Sequence, residues 1–179
     1  VLVFHPDMSA SRANRPLAAK AETLGDDVTV RYMYDIYPDF NIDVATEQAA
    51  LLGADRIVLQ YPMYWLSCPP LLKKWLDDVL TFGWAYGSTG TALHGKELLL
   101  AVSVGGAGSA YGREGAHIYT IHEFLRPMQG TSRVIGTKYA VPFLSVGALE
   151  ITDEAIARRA QDYAAVLQTP ELPLLDIFG

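Results

Sequence analysis

Apolar and polar positions alternate along this chain in two rhythms. Short apolar runs occur at 1–4, 56–61 and 97–103. Runs of this kind predict strands buried on both faces of a parallel sheet. Over 28–34, Val28, Val30, Tyr32 and Tyr34 alternate with Thr29, Arg31 and Met33. That period of two predicts a half-buried strand nearer an edge. A fifth strand is predicted over 134–143, with Pro142 near its end. The intervening stretches follow a helical period. Leu17, Ala21 and Leu24 mark a helix over 13–24. Asp43 starts a second helix that carries Val44, Gln48, Leu51 and Leu52 and stops at Gly53. Leu72, Trp75, Leu76 and Val79 stripe a third over 71–80. Ile118, Ile121 and Leu125 stripe a fourth, beginning at Glu114 or Gly115 and running to Phe124. Thr152 caps a last helix over 152–167, with Asp153 and Glu154 in its first turn. The residues beyond Thr169, with Leu172, Leu174, Leu175 and Phe178, predict an irregular apolar tail that docks on its own core or on a partner.

Strand and helix thus alternate five times, with no repeat and no linker, which predicts one domain over 1–179. The class is α/β: a three-layer fold with a parallel five-stranded sheet and helices on both faces. A loop suited to phosphate follows the first strand, so the flavodoxin-like strand order 2-1-3-4-5 is expected.

Composition narrows the possible partners. The 179 residues carry a net charge of −6, with a pI near 5.1. That balance argues against nucleic acid as a partner. A single cysteine, Cys68, excludes a disulfide framework and a multi-cysteine zinc site. No metal cluster is legible, and no apolar run approaches the ~20 residues a spanning helix needs. No signal peptide is legible either, which predicts a cytoplasmic protein.

The chemistry lies at the strand ends. After the first strand come Ser9, Ser11 and Arg12, just before a helix N-terminus that can receive an anion. Ser11 or Asn14 can equally serve as a helix cap. The loop matches neither the Walker pattern nor the dinucleotide glycine fingerprint. After the third strand come Tyr64 and Trp65, bounded by prolines. These can stack on a planar ligand or cover core. After the fourth strand, Gly105, Gly106, Gly108 and Gly112 allow close backbone approach. Tyr111 and His117 follow, two proton-handling side chains in one loop. In the order 2-1-3-4-5 the first, third and fourth strands are neighbours, so these loops converge. Phosphate donors at one end and a flat polar platform at the other suit flavin mononucleotide (FMN).

Several stretches then carry a family resemblance. They are His5-Pro6 with Ser11 and Asn14, the run 36–40, Gln60 to Trp65, Pro69 to Lys73, Gly83 to Gly87, Leu93 to Lys96, and Gly105-Gly106 with Tyr111 and His117. Together they resemble the flavodoxin-fold NAD(P)H:quinone oxidoreductases of the DT-diaphorase type. Among these the small bacterial members are closest, including the ancillary subunits of glutathione-gated potassium efflux systems.

The resemblance implies that His5, Ser11, Arg12, Ala13 and Asn14 surround the flavin phosphate and ribityl chain. Pro62, Met63, Tyr64, Trp65 and Leu66, with the backbone of Ser103, Val104, Gly105 and Gly106, would hold the isoalloxazine ring. Tyr111 and His117 would be catalytic at the ring's N1/O2 edge, where hydride transfer builds negative charge. His94 and His122 have no implied role. NAD(P)H would be the donor and a quinone or similar flat acceptor the oxidant, in ping-pong order on one site. The short chain favours FMN over FAD. A homodimer is implied, with the aromatic stretch 75–86 and the tail as contact surfaces. The alternative is a regulatory subunit of a potassium efflux transporter, peripheral at the inner membrane through that partner, with incidental redox activity. A flavodoxin-type electron carrier fits less well, because the phosphate loop is poor in Thr and Gly.

Overall fold

The computed structural model describes residues 1–175; Phe178 of the predicted tail lies outside them. The elements in chain order are β1 (Leu2–Val3), α1 (Asn14–Glu22), β2 (Arg31–Tyr32), α2 (Met33–Ile36), α3 (Val44–Leu52), β3 (Arg56–Pro62), α4 (Pro70–Val79), β4 (Glu97–Val104), α5 (Ile121–Phe124), α6 (Arg126–Val134), β5 (Lys138–Tyr139), β6 (Phe143–Val146) and α7 (Asp153–Gln168). The sheet is parallel throughout and runs β2-β1-β3-β4-β5, with β6 also paired to β4.

The order 2-1-3-4-5 is therefore the observed one, with a sixth strand added. The predicted fifth strand is two segments on one edge of β4. Lys138–Tyr139 pairs with Glu97 and Leu98, and Phe143–Val146 pairs with Ala101 through Val104. Pro142 stands in the break, because it has no N–H to give to a ladder. The tail fills the gap: Val141 N donates to the Pro173 carbonyl at 2.8 Å, and Leu174 bridges to Ala140.

Three further boundaries differ from the sequence pattern. The strand expected over 28–34 keeps only Arg31–Tyr32, and Met33 turns into α2. The helix expected from 114 begins only at Ile121, behind a capping box of Thr120 and Glu123. Residues 112–119 are turns instead, with Gly112 at φ 102° and Ile118 at φ 66°. Positive φ cannot continue a right-handed helix. Ile118, assigned to a buried stripe by its spacing, is 63% exposed. Val134, expected in a strand, ends α6.

The core lies on both faces of the sheet, as the continuous apolar runs require. On β4, Leu98, Leu100, Val102 and Val104 face one cluster with Leu59, Leu72, Trp75 and Met128. Leu99 and Ala101 face the other, with Leu17, Ala21, Ala160 and Tyr163 from α1 and α7. Side chains alternate across a strand, so an apolar residue at every position serves both clusters. At the amino ends of the strands, Arg56 Nε donates to Glu97 at 2.6 Å, and its guanidinium also donates to the Leu167 and Thr169 carbonyls. This leaves the carboxyl ends of β1, β3, β4 and β6 to form the loops that matter below.

Candidate active site

The loop after β1 is built around Asp7. Its carboxylate accepts from Ser9 N at 3.0 Å, Ser9 Oγ at 2.6 Å and Ala10 N at 3.2 Å. These bonds to the charged form, the Ser9 hydroxyl foremost, hold the Asp7 carboxyl below its usual range. His5 Nδ1 accepts from Asp7 N at 3.1 Å. Burial lowers the His5 pKa and favours the neutral ring. Ser11 Oγ accepts from Asn14 N at 3.0 Å, in the turn that leads into α1. The Arg12 guanidinium donates to the Ile151 carbonyl at 2.9 Å and to Asp153 at 3.1 Å, towards α7. Backbone donors also stay open at this loop. Among the described residues, the amides of Arg12 and Ala13 have no acceptor, as the first amides of a helix normally do not.

The loop after β3 turns sharply. Met63 N donates to the Ser103 carbonyl at 2.8 Å, and Ser67 N closes a bridge to the Tyr64 carbonyl at 3.0 Å. Trp65 and Leu66 sit at the tip with φ of 47° and 61°. Positive φ at two bulky residues is strained and points to a functional constraint. Trp65 is 99% exposed, so it does not cover core. Tyr64 is partly exposed beside it.

The loop after β4 supplies the platform. Gly105 and Gly106 are half-buried, and among the described residues their amides find no acceptor. A Cβ at Gly106 would lie 3.5 Å from the Tyr111 hydroxyl, so the phenol reaches the glycine backbone. The Tyr111 and His117 rings lie 4.7 Å apart, tilted by 38°. His117 N donates to the Ala110 carbonyl at 2.9 Å, and Gly112 N to Tyr119 at 2.9 Å, which closes the loop that holds the pair. Phe124 sets its edge against Tyr111 at 6.3 Å and against Tyr119 at 5.9 Å.

A fourth wall was not legible in the sequence. After β6, Gly147 N donates to the Gly106 carbonyl at 3.1 Å, and Ala148 N to Val104 at 2.9 Å. Leu149, largely exposed, reaches over Gly105, where a Cβ would lie 3.2 Å from it. The available signal is Gly147, which follows Phe143–Val146 as Gly105 follows β4, beyond the point where the sequence pattern ends the strand.

A cavity of about 770 Å³ opens elsewhere, at the amino ends of the strands around Arg31 and Arg56. Both arginines already hold carboxylates, Glu47 and Glu97. In an open parallel sheet the ligand end is the carboxyl end, where the loops after β1 and β4 present free amides and the second carries the Tyr111–His117 pair. A group with an anion at one end and a flat ring bearing hydrogen-bond acceptors at the other fits these donors.

Several known proteins are similar to this chain. A family model described as flavodoxin-like fold matches residues 1–167. An uncharacterized NAD(P)H oxidoreductase of Bacillus subtilis (strain 168), YrkL, is 46% identical over 91% of this chain and 95% of its own. The glutathione-regulated potassium-efflux system ancillary protein KefF of Salmonella newport (strain SL254) is 45% identical over 91% of each. The crystal structure of general stress protein 14 from Treponema denticola, in complex with FMN, is 40% identical with a TM-score of 0.89, covering 93% of this chain and 95% of that one. An NADPH-quinone reductase from P. pentosaceus is 31% identical with a TM-score of 0.85, covering 95% and 97%. Sheet order, layers and sequence together show that this chain belongs to the flavodoxin-like fold family.

Proposed function

We propose that this protein is an FMN-dependent NAD(P)H:quinone oxidoreductase. The observation that carries the reading is the pairing of free backbone amides after β1 and β4 with the Tyr111–His117 pair. Relatives named as NAD(P)H oxidoreductase and NADPH-quinone reductase support it, as does the FMN held by the Treponema neighbour. When bound, FMN accepts hydride from NAD(P)H and passes it to the quinone.

The amides at Arg12 and Ala13 would hold the phosphate, aided by the dipole of α1. The residues 62–66 and the backbone of 103–106 would hold the ring; Gly105 and Gly106 let it approach without a side chain between. Tyr111 would donate a hydrogen bond at the ring edge where negative charge develops. His117, packed against the phenol, would hold or pass a proton there. Tyr64 and Trp65 would wall the face open to donor and acceptor in turn. Asn14 and Ser103 would act from below, since each side chain is almost fully buried.

Trp65, at 99% exposure on the tip of the loop after β3, is apolar surface at this opening. Surface of that kind is normally covered by a partner, and a second copy of the chain is the occupant that the reading favours. A transporter partner is supported by the KefF relative alone. No helix among the described residues is long and apolar enough to cross a membrane. Co-purification with a potassium efflux protein would favour that association without displacing the enzymatic reading.

The deciding experiment is spectroscopic. Purified protein mixed with FMN is expected to show a bound-flavin absorption spectrum that bleaches with NADPH and recovers with a soluble quinone. No flavin binding refutes the reading. Binding without bleaching leaves a carrier rather than a reductase.

A further inference from the structure

Gln60 has no exposed surface, and it stands in β3 among Val58, Leu59 and Tyr61, which are all buried. Burying an amide is unfavourable unless its hydrogen bonds are met. Its Nε2 donates to the Asn14 carbonyl at 2.8 Å and lies 3.5 Å from Asn14 Oδ1. Asn14 Nδ2 donates in turn to Ser103 Oγ at 2.8 Å. Asn14 N donates to Ser11 Oγ, and the Ser103 carbonyl accepts from Met63 N at 2.8 Å. The four side chains of this relay are at most 6% exposed. The bonds therefore run from the first turn of α1, across the end of β3, to the end of β4. Those are the three places that the candidate site needs in register.

The relay also carries a flaw. Gln60 Oε1 is buried with no hydrogen-bond partner among the described residues. A buried acceptor left unpaired weakens a fold, and an apolar residue of similar volume would not carry that cost. The Asn14 carbonyl, at the first residue of α1, also faces the helical ladder. The fold therefore loses little if the Gln60 amide is removed, and the reason to keep it lies in what its N–H group positions. Local rules broken without a gain in stability are commonest at functional sites.

We propose that Gln60 is a positioning residue. Through Asn14 and Ser103 it holds the amino end of α1 in register with the ends of β3 and β4, so that one ligand can be gripped at both places at once. The inference rests on the flavin reading above. A ligand held at two ends gains from the second contact only when the spacing is preorganised. A ligand held at the ring end alone needs no such register. The relay therefore matters to FMN, which carries the phosphate, more than to riboflavin, which lacks it.

The test is a pair of titrations on flavin-free protein, one with FMN and one with riboflavin, each followed by flavin fluorescence. Gln60→Leu is expected to weaken FMN by about tenfold or more while riboflavin stays within about threefold. The melting temperature of the flavin-free variant is expected to be equal to wild type or higher. Equal weakening of both flavins overturns the proposal, as does FMN affinity within about threefold of wild type. Should Gln60→Leu fail to fold, Ser103→Ala cuts the relay at its other end and must produce the same split; equal losses there refute it. Wild-type protein that binds neither flavin overturns the flavin reading and this inference with it. Wild-type binding with an unchanged FMN preference in the variants overturns this inference alone.

Discussion

Gly115→Ala tests whether the closed loop around Tyr111 and His117 is what the site depends on. A Cβ at Gly115 would lie 2.4 Å from the carbonyl carbon and oxygen of Ala110, and 2.8 Å from the Ser109 carbonyl. Ordinary contact begins at 3.4 Å, so the backbone must open by about 1 Å (3.4 − 2.4). Both obstacles are backbone and cannot rotate away. The Ala110 carbonyl is also the acceptor for His117 N, so the displacement acts on the bond that sets His117 beside Tyr111. Overpacking of this kind costs about 1–3 kcal/mol, and a surface loop takes the low end, about 1 kcal/mol. In a chain of this length that lowers Tm by about 2–4 °C. A 1 Å misplacement of catalytic groups costs about 100-fold in rate. The variant is therefore expected to fold and bind FMN, yet to be reduced by NADPH about 100-fold more slowly in stopped flow. Reduction within about threefold of wild type, with FMN bound, would refute the reasoning. It would mean that the loop yields without disturbing the pair, or that the pair is not needed.

Three further expectations concern the frame. Glu47 is fully buried and accepts from Arg31, from the Tyr37 hydroxyl at 2.7 Å and from Trp75 Nε1 at 3.0 Å. Arg31→Met strands that carboxylate and is expected to cost about 3 kcal/mol, or roughly 6–12 °C in Tm, with most of it recovered when Glu47→Leu is added. A single variant that melts with wild type would disprove the pairing argument. Burial, followed by the bond to Glu47, pushes the Tyr37 hydroxyl up to about 12. The folded value lies above the unfolded one, near 10, so this contribution is complete below about pH 10 and is lost between about 10 and 12. Urea midpoints across that range should fall more steeply for wild type than for Tyr37→Phe, and equal slopes would count against it. Gly130, inside α6, has open space where a Cβ would go. Gly130→Ala is expected to add about 0.5–1 kcal/mol with kcat unchanged, as read by thermal melts and steady-state assay.

Much of this protein was legible before any coordinates. The continuous apolar runs at 56–61 and 97–103 read as strands buried on two faces, and the helical stripes between them call for layers on both sides. That logic leads to a parallel α/β sheet, and the loop chemistry at Ser11, Tyr64, Gly105, Tyr111 and His117 then points to the carboxyl end. Side-chain pattern is a local property, so it reads correctly wherever burial follows sequence spacing. It fails where a boundary depends on distant partners. Pro142 splits the last strand because Pro173 and Leu174 are there to close the gap. Ile118 leaves its stripe because Tyr119 O and Ala110 O draw 112–119 into turns.

The site divides in the same way. Residue type and order alone determined which loops carry donors, aromatics and proton-handling groups. Tertiary structure decided which groups of each residue are free. Arg12, an apparent phosphate ligand, gives its Nη2 to Asp153, and its backbone amide has no acceptor among the described residues. Asn14 and Ser103 turn inward, joined to Gln60, a residue that looks like ordinary strand in the sequence. Leu149 comes over Gly105 from a strand expected to have ended. Hydrogen bonds between segments 46 and 89 residues apart depend on how strands are placed side by side. No periodicity in a linear chain encodes that placement residue by residue, because packing of the whole sheet determines it.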